Sequence, residues 1–281
     1  MDMTNYVKTF GLMALMTALF LGVAGFFGGT DVMIIAFFFA LLFNFGSYWF
    51  SDRIVLRMYR AKILQQSDAP DLYDMVDRLR RRAGLPMPTL ALSPSDQPNA
   101  FATGRSPERA VVCVTRGILK LANREELAGV IAHELAHVKN RDMLIGTIAA
   151  TMSAAIVMLA RFGLWFGGDR DRGGVMGALL MLILAPIAAM LIQMAISRAG
   201  EFRADRIGAG ISGRPRELAS ALRKLESAAR RVPMEVNPAA AHLCIVNPLR
   251  GGGAAFAALF RTHPPTEERI RRLEEIASAG A

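Results

Sequence analysis

The sequence predicts a mostly helical membrane protein that carries a small α+β domain, and three observations lead there. Long uncharged apolar blocks recur along the chain, short extended segments gather in one polar stretch, and a glutamate sits between two histidines at helical spacing. The composition, 53% hydrophobic and 20% charged over 281 residues, excludes a disordered or fibrous chain. The length allows one or two domains, but the apolar residues come in blocks rather than spread as in a single globular core. Cys113 and Cys244 lie far apart in sequence, which gives no disulfide framework and suits a reduced setting for the soluble parts.

The first block, Thr9 to Thr30, has 22 residues without a charge, and after Asp31 the run from Val32 to Ser51 adds 20 more. Each can cross roughly 30 Å of hydrocarbon. A cleaved signal peptide is the competing reading of the first block, but Lys8 is its sole basic flank and a second block follows the Gly28-Gly29-Thr30-Asp31 turn. Residues 1–51 therefore read as an N-terminal transmembrane hairpin. Tyr48 and Trp49 fall at headgroup level, and Arg53, Arg57, Arg60 and Lys62 follow, so that end is expected to face the cytoplasm.

A third uncharged run covers Met143 to Ala160 and, past Arg161, stays apolar to Gly168; a fourth covers Gly173 to Ser197 with Pro186 inside it. Asp169-Arg170-Asp171-Arg172 makes a polar turn between them. Residues 143–197 form a second apolar pair, read as membrane-embedded, with core helices of the soluble domain as the alternative. The polar segments 52–142 and 198–281 are then two parts of one domain interrupted by that pair.

A net charge of +9 and the run Arg80-Arg81-Arg82 raise the question of nucleic acid. Leu72, Met75 or Val76, and Leu79 repeat at helical spacing, which puts those arginines on the solvated face of a helix ending near Gly84, beside an anionic leaflet. No zinc-finger spacing or aromatic–basic stacking pattern accompanies them, so nucleic acid is not an expected partner. Thr89 to Leu92, Asn99 to Thr103 and Ala110 to Thr115, separated by proline- and glycine-bearing turns, predict a small antiparallel sheet.

Asn123 can cap the next helix, with Glu126 completing a capping-box pattern. Leu127, Ile131, Leu135 and Val138 form its apolar stripe, and His133, Glu134 and His137 lie on a different face as His-Glu-x-x-His. One turn of separation lets both imidazoles reach a single zinc ion at about 2.0–2.1 Å, while the glutamate points toward an open coordination position. Composition alone would yield this motif roughly 0.002 times in such a chain. A catalytic zinc needs a third protein ligand and one open position. Past the fourth apolar block, Glu201 and Asp205 share a helix face, Glu201 to bind the metal and Asp205 to accept the second ring N–H of a ligand histidine. The second apolar pair is thus inserted between zinc ligands, and a spanning hairpin would return His137 and Glu201 to the same membrane face. Asp142 either supports His137 from behind or marks the boundary between helix and membrane.

At these residues the chain resembles the HtpX-type membrane zinc metallopeptidases, heat-shock proteases of the bacterial inner membrane that are related more distantly to the CaaX prenyl proteases. The resemblance runs through the N-terminal apolar pair, Asn99 to Gly104, the ten residues from His133 to Asp142, the second apolar pair, Glu201-Phe202-Arg203-Ala204-Asp205, and Thr262 to Ile270. It implies a zincin-like α+β catalytic domain holding one Zn²⁺ per chain on His133, His137 and Glu201, with Glu134 as the catalytic acid/base. It also implies that the strand bearing Asn99, Ala100, Phe101 and Ala102 pairs with an extended substrate, since an exposed sheet edge binds peptide backbone with little sequence preference. A buried hairpin is the alternative for that strand. His263 resembles a family histidine that helps stabilise the oxyanion, although His263-Pro264 also reads as the start of the helix carrying Ile270 and Leu273. Many relatives carry a charged residue before the ligand glutamate, whereas this chain has Ala199-Gly200, and the glycine weakens a helix there by roughly 1 kcal/mol relative to alanine.

The expected function is a zinc endopeptidase of the bacterial inner membrane. Its partners would be the lipid bilayer and, at the cytoplasmic face, unfolded or damaged membrane proteins. A membrane scaffold or chaperone with a structural zinc and a prenyl-peptide processing protease are the rival readings. His242 and the oligomeric state have no assignment from sequence.

Overall fold

The computed structural model describes residues 3–166, 198–229, 243–246 and 264–279. The fourth apolar block, His242 and His263 lie outside the described residues.

The N-terminal apolar blocks form one helical element, α1 (Met3–Met58), broken at Gly29, whose φ of 66° and ψ of −160° leave helical geometry. A side chain would strain that conformation, and glycine adopts it freely. Past the break, Asn44 Nδ2 donates to Met13 O at 3.1 Å and to Thr17 Oγ1 at 2.9 Å, and Phe20 meets Phe39 and Phe43 edge-on. The stretch Gly29–Met58 is long and apolar enough to cross a membrane, and only 11% of its apolar window is buried.

Strand β1 (Lys62–Ile63) and helix α2 (Pro70–Ala83) follow, α2 ending where Gly84 takes a left-handed φ of 70°. Strands β2 (Thr89–Ser93), β3 (Ala100–Thr103) and β4 (Val111–Thr115) complete a sheet of order β1-β2-β4-β3. The sheet is mixed, which corrects the antiparallel expectation: β2 and β4 run parallel, while β1–β2 and β3–β4 are antiparallel. The strand β4, buried along its whole length, has partners on both sides, and β3 lies at the edge.

Helix α3 (Arg116–Leu121) leads into α4 (Arg124–Asn140), whose Asn123–Glu126 capping box is formed in both directions. The helix α5 (Met143–Phe166) packs Leu144, Ile145, Ile148 and Met152 against Leu12 and Met16 of α1. After the interruption come α6 (Arg198–Ser212), α7 (Pro215–Ala229) and, later, α8 (Thr266–Ala279). Gly200 lies inside α6, so the glycine does not prevent the helix. Tertiary burial overrides its cost: Val76, Val112, Ile131, Leu135, Leu222 and Leu273 join α2, β4, α4, α7 and α8 in one core.

Candidate metal centre

The site forms where α4 crosses α6. Glu201, Asp205 and Gly208 share one face of α6, and a Cβ on Gly208 would stand 2.9 Å from both Cα and N of His133. Glycine therefore permits the close approach that brings the α6 carboxylates to the α4 imidazoles. His133 Nε2 and His137 Nε2 lie 3.1 Å apart, with Glu201 Oε2 3.8 Å from the former and Oε1 3.6 Å from the latter. These three residues are the one group among the described residues whose donor atoms gather within 4.8 Å as a metal site requires.

A carboxylate stands beside each ring nitrogen on the far side, and for His137 the two are hydrogen-bonded. Asp142 Oδ1 is 2.9 Å from His137 Nδ1, and Asp205 Oδ1 is 3.0 Å from His133 Nδ1. A carboxylate beside Nδ1 keeps the proton there and turns the Nε2 lone pair into the site. Asp142 reaches back because Arg141 takes a left-handed φ of 58° at the end of α4 and Asp142 N donates to His137 O at 3.3 Å. This conformation costs a non-glycine residue about 1 kcal/mol. Two ring nitrogens and a carboxylate converging on one point form a donor set that a cation can occupy by displacing the proton His137 otherwise holds. The spacing fits one, since two nitrogens each 2.0–2.1 Å from a tetrahedral ion stand about 3.3 Å apart.

Glu134 is buried and its Oε2 accepts the Ala102 backbone N–H of β3 at 2.8 Å. Burial raises its pKa above the ordinary carboxylate value against the pull of His133, His137 and the Ala102 N–H, and Glu201 adds to the rise. Burial opposes a charge on His137, but Asp142, Glu201 and Glu134 outweigh it and push the imidazole up to about 10. Asp205 is also penalised by burial, yet Arg269 and His133 hold it down at about 2.

Arg269, on α8, is the residue that sequence reasoning missed. Its guanidinium forks onto Asp205 at 2.8 and 2.7 Å, lies 3.4 Å from Glu201 Oε2 and donates to Ile245 O at 3.0 Å. The available signal was a charge in register with Leu273 and Ile276 on the apolar stripe of an amphipathic helix. The sequence-predicted Asn99 sits just before β3 but turns away from the metal donors: its Nδ2 donates to Leu243 O and its Oδ1 accepts from Ile245 N. Phe101 packs against Tyr59, with ring centroids 4.4 Å apart. Ala100 and Ala102 complete the strand, whose residues are buried although it is an edge.

The sequence profile of peptidase family M48 matches residues 66–277. The chain belongs to peptidase family M48. Among its curated relatives are several that bear the name Protease HtpX homolog. The one from Salinibacter ruber is 58% identical over 97% of this chain and 98% of its own length. The one from Thermococcus kodakarensis is 56% identical over 99% and 98%. The crystal structure of S. mikatae Ste24p shares the fold with a TM-score of 0.52 at 17% identity, over 96% of this chain and 66% of that one. As an M48 member with these relatives the chain is a metallopeptidase, mostly helical, with an apolar N-terminal helix ahead of its peptidase domain.

Proposed function

We propose that this M48 metallopeptidase is a zinc-dependent endopeptidase of a cytoplasmic (inner) membrane that cleaves unfolded or damaged membrane proteins at the cytoplasmic face. Residues 1–51 would form its transmembrane hairpin, 52–142 and 198–281 the two parts of its catalytic domain, and 143–197 a second apolar pair between them. The observation that carries the reading is the meeting of His133, His137 and Glu201 donors beside Glu134, with Glu134 itself hydrogen-bonded to a sheet edge. The barely buried Gly29–Met58 stretch supports the membrane address. The basic residues from Arg53 to Lys62 support its orientation.

In this reading His133, His137 and Glu201 hold the ion, and Asp205 and Asp142 orient the two imidazoles. A zinc ion held there supplies Lewis acidity toward water and the scissile carbonyl. Glu134 takes a proton from the attacking water and passes it to the leaving nitrogen, and the burial that raises its pKa matches it to both duties. Thr115 N donates to Asn99 O at 2.9 Å, so Asn99, and by alternation Phe101, face β4. Ala100 then turns its backbone N–H and C=O to the outer edge and Ala102 its C=O, the Ala102 N–H being held by Glu134; these groups would pair with an extended substrate, while Asn99 and Phe101 hold the strand from behind. The oxyanion role of His263 rests on the resemblance alone.

The test is cleavage of casein by the full chain in detergent, with bound zinc measured in parallel. Glu134→Gln is expected to keep about one zinc per chain and lose on the order of 10²–10⁴ in turnover. A chelator should silence the wild type. Zinc-loaded wild type that never cuts, or a Glu134→Gln variant as fast as wild type, would overturn the assignment.

A further inference from the structure

Arg53, Arg105 and Arg109 line a groove of about 420 Å³ together with Phe45, Trp49 and Asp52, where the apolar part of α1 ends. Among the described residues none of the three arginines has an ion-pair partner, and what sets them apart is that they converge on one groove. Asp52 is the one acid in the lining among the described residues, so the three arginines leave the groove with a net positive charge.

Arg105 is held flat. Its guanidinium carbon lies 4.1 Å from the Trp49 ring centroid, and its Nη1 donates to Trp49 O at 3.4 Å. Stacking covers the face of a guanidinium and leaves its N–H rim for an anion. Below the groove, Phe38, Leu42, Phe45 and Trp49 recur at helical spacing, each 42–70% exposed. From Phe38 to Trp49 the helix rises about 16 Å, close to the depth of one hydrocarbon leaflet. An apolar strip one leaflet deep thus ends in an unpaired cationic seat.

We propose that this groove binds the headgroup of an anionic phospholipid, its phosphate on Arg105 and Arg109 with Arg53 at the rim, and its acyl chains along the Phe38–Phe45 ridge. The inference rests on the membrane reading above. It reaches the peptidase site through the β3–β4 connection, which carries both Arg105 and Arg109. That connection is tight: at Gly104, φ is 129° and a Cβ would stand 2.3 Å from Arg109 O. It continues directly into β3, whose Ala102 N–H holds Glu134. A bound headgroup fixes the end of that strand, so anionic lipid increases peptidase activity.

The full chain in neutral detergent is equilibrated with equal amounts of phosphatidylglycerol and phosphatidylcholine, and retained lipid is quantified by mass spectrometry. Wild type is expected to favour phosphatidylglycerol by about thirtyfold, roughly fivefold for each of the two net positive charges left after Asp52 offsets one arginine. The Arg105→Gln/Arg109→Gln double variant should fall to within about twofold, while Arg116→Gln/Arg223→Gln keeps the wild-type preference. Casein cleavage in nanodiscs containing phosphatidylglycerol should run several-fold faster than in pure phosphatidylcholine for wild type, and equally fast in both for the double variant. Equal retention of the two lipids, or a preference that survives Arg105→Gln/Arg109→Gln, overturns the proposal. Activation of detergent-solubilised protein by inorganic phosphate alone would assign the seat to a free anion and overturn the lipid. A chain that fails to float with liposomes of either composition refutes the membrane reading itself, an outcome distinct from floating without headgroup preference.

Discussion

Arg269 is 1% exposed and carries a full charge, which is tolerable only because Asp205 takes it in a two-point fork and Glu201 lies alongside. Replacing it by glutamine strands two buried carboxylates. Arg269→Gln is expected to lose about 3–5 kcal/mol in thermal or denaturant unfolding, and adding Asp205→Asn should recover part of that loss. Asp205→Asn alone should weaken zinc binding by about 10–100-fold in chelator competition, because His133 loses the partner that holds its proton on Nδ1. At this scale the sequence was legible where chemistry is local. His133, Glu134 and His137 follow from one helical turn, and Glu201 with Asp205 from another. Arg269 was hidden because its meaning depends on α8 docking against α6, a contact that no spacing within α8 encodes. Arg141 was hidden too, since a left-handed arginine has no local signature as a glycine would.

Between elements, glycine and charge set the packing of α4. Gly208→Ala would push α6 away from the backbone of His133, at a cost of about 1–3 kcal/mol, and should reduce zinc content more than helix content by circular dichroism. At the start of α4, Glu126 caps the helix and also receives Lys224 Nζ at 2.7 Å and Ser220 Oγ at 2.7 Å from α7. Burial raises its pKa, but Lys224, Ser220 and the Asn123 N–H outweigh that and hold it below the ordinary value of 4.5. A depressed carboxylate stabilises the fold fully above its unfolded pKa and loses that contribution as pH falls through the folded one. Glu126→Gln should therefore cost about 1–3 kcal/mol at neutral pH, and the gap to wild type should close as the unfolding series is carried below pH 4.5. The helices were readable from period and caps: α2 ends at Gly84 and α4 starts at Asn123, as their residues predict. The parallel pairing of β2 with β4 was not, because it joins strands that are not consecutive in the chain, a contact the turns between neighbours do not encode.

Across the whole molecule, the proposed metal donors come from two helices separated by a long apolar stretch, so an ion bound there would tie distant parts of the chain together. Anything that binds the native state alone stabilises it, by about 2.7 kcal/mol at a hundredfold excess over Kd. A chelator is therefore expected to lower Tm by several degrees and zinc to restore it, in Glu134→Gln as in wild type, whereas His137→Ala should show little response. The broad architecture was legible because apolar block length and the zinc motif are both properties of short windows. The helix α8 follows every other described element in sequence, yet it supplies the counter-charge without which Glu201 and Asp205 cannot lie buried side by side. During synthesis that charge leaves the ribosome after the residues it completes. A chain still being synthesised thus has no assembled site, and the order of translation keeps the peptidase from acting until its last helix has docked.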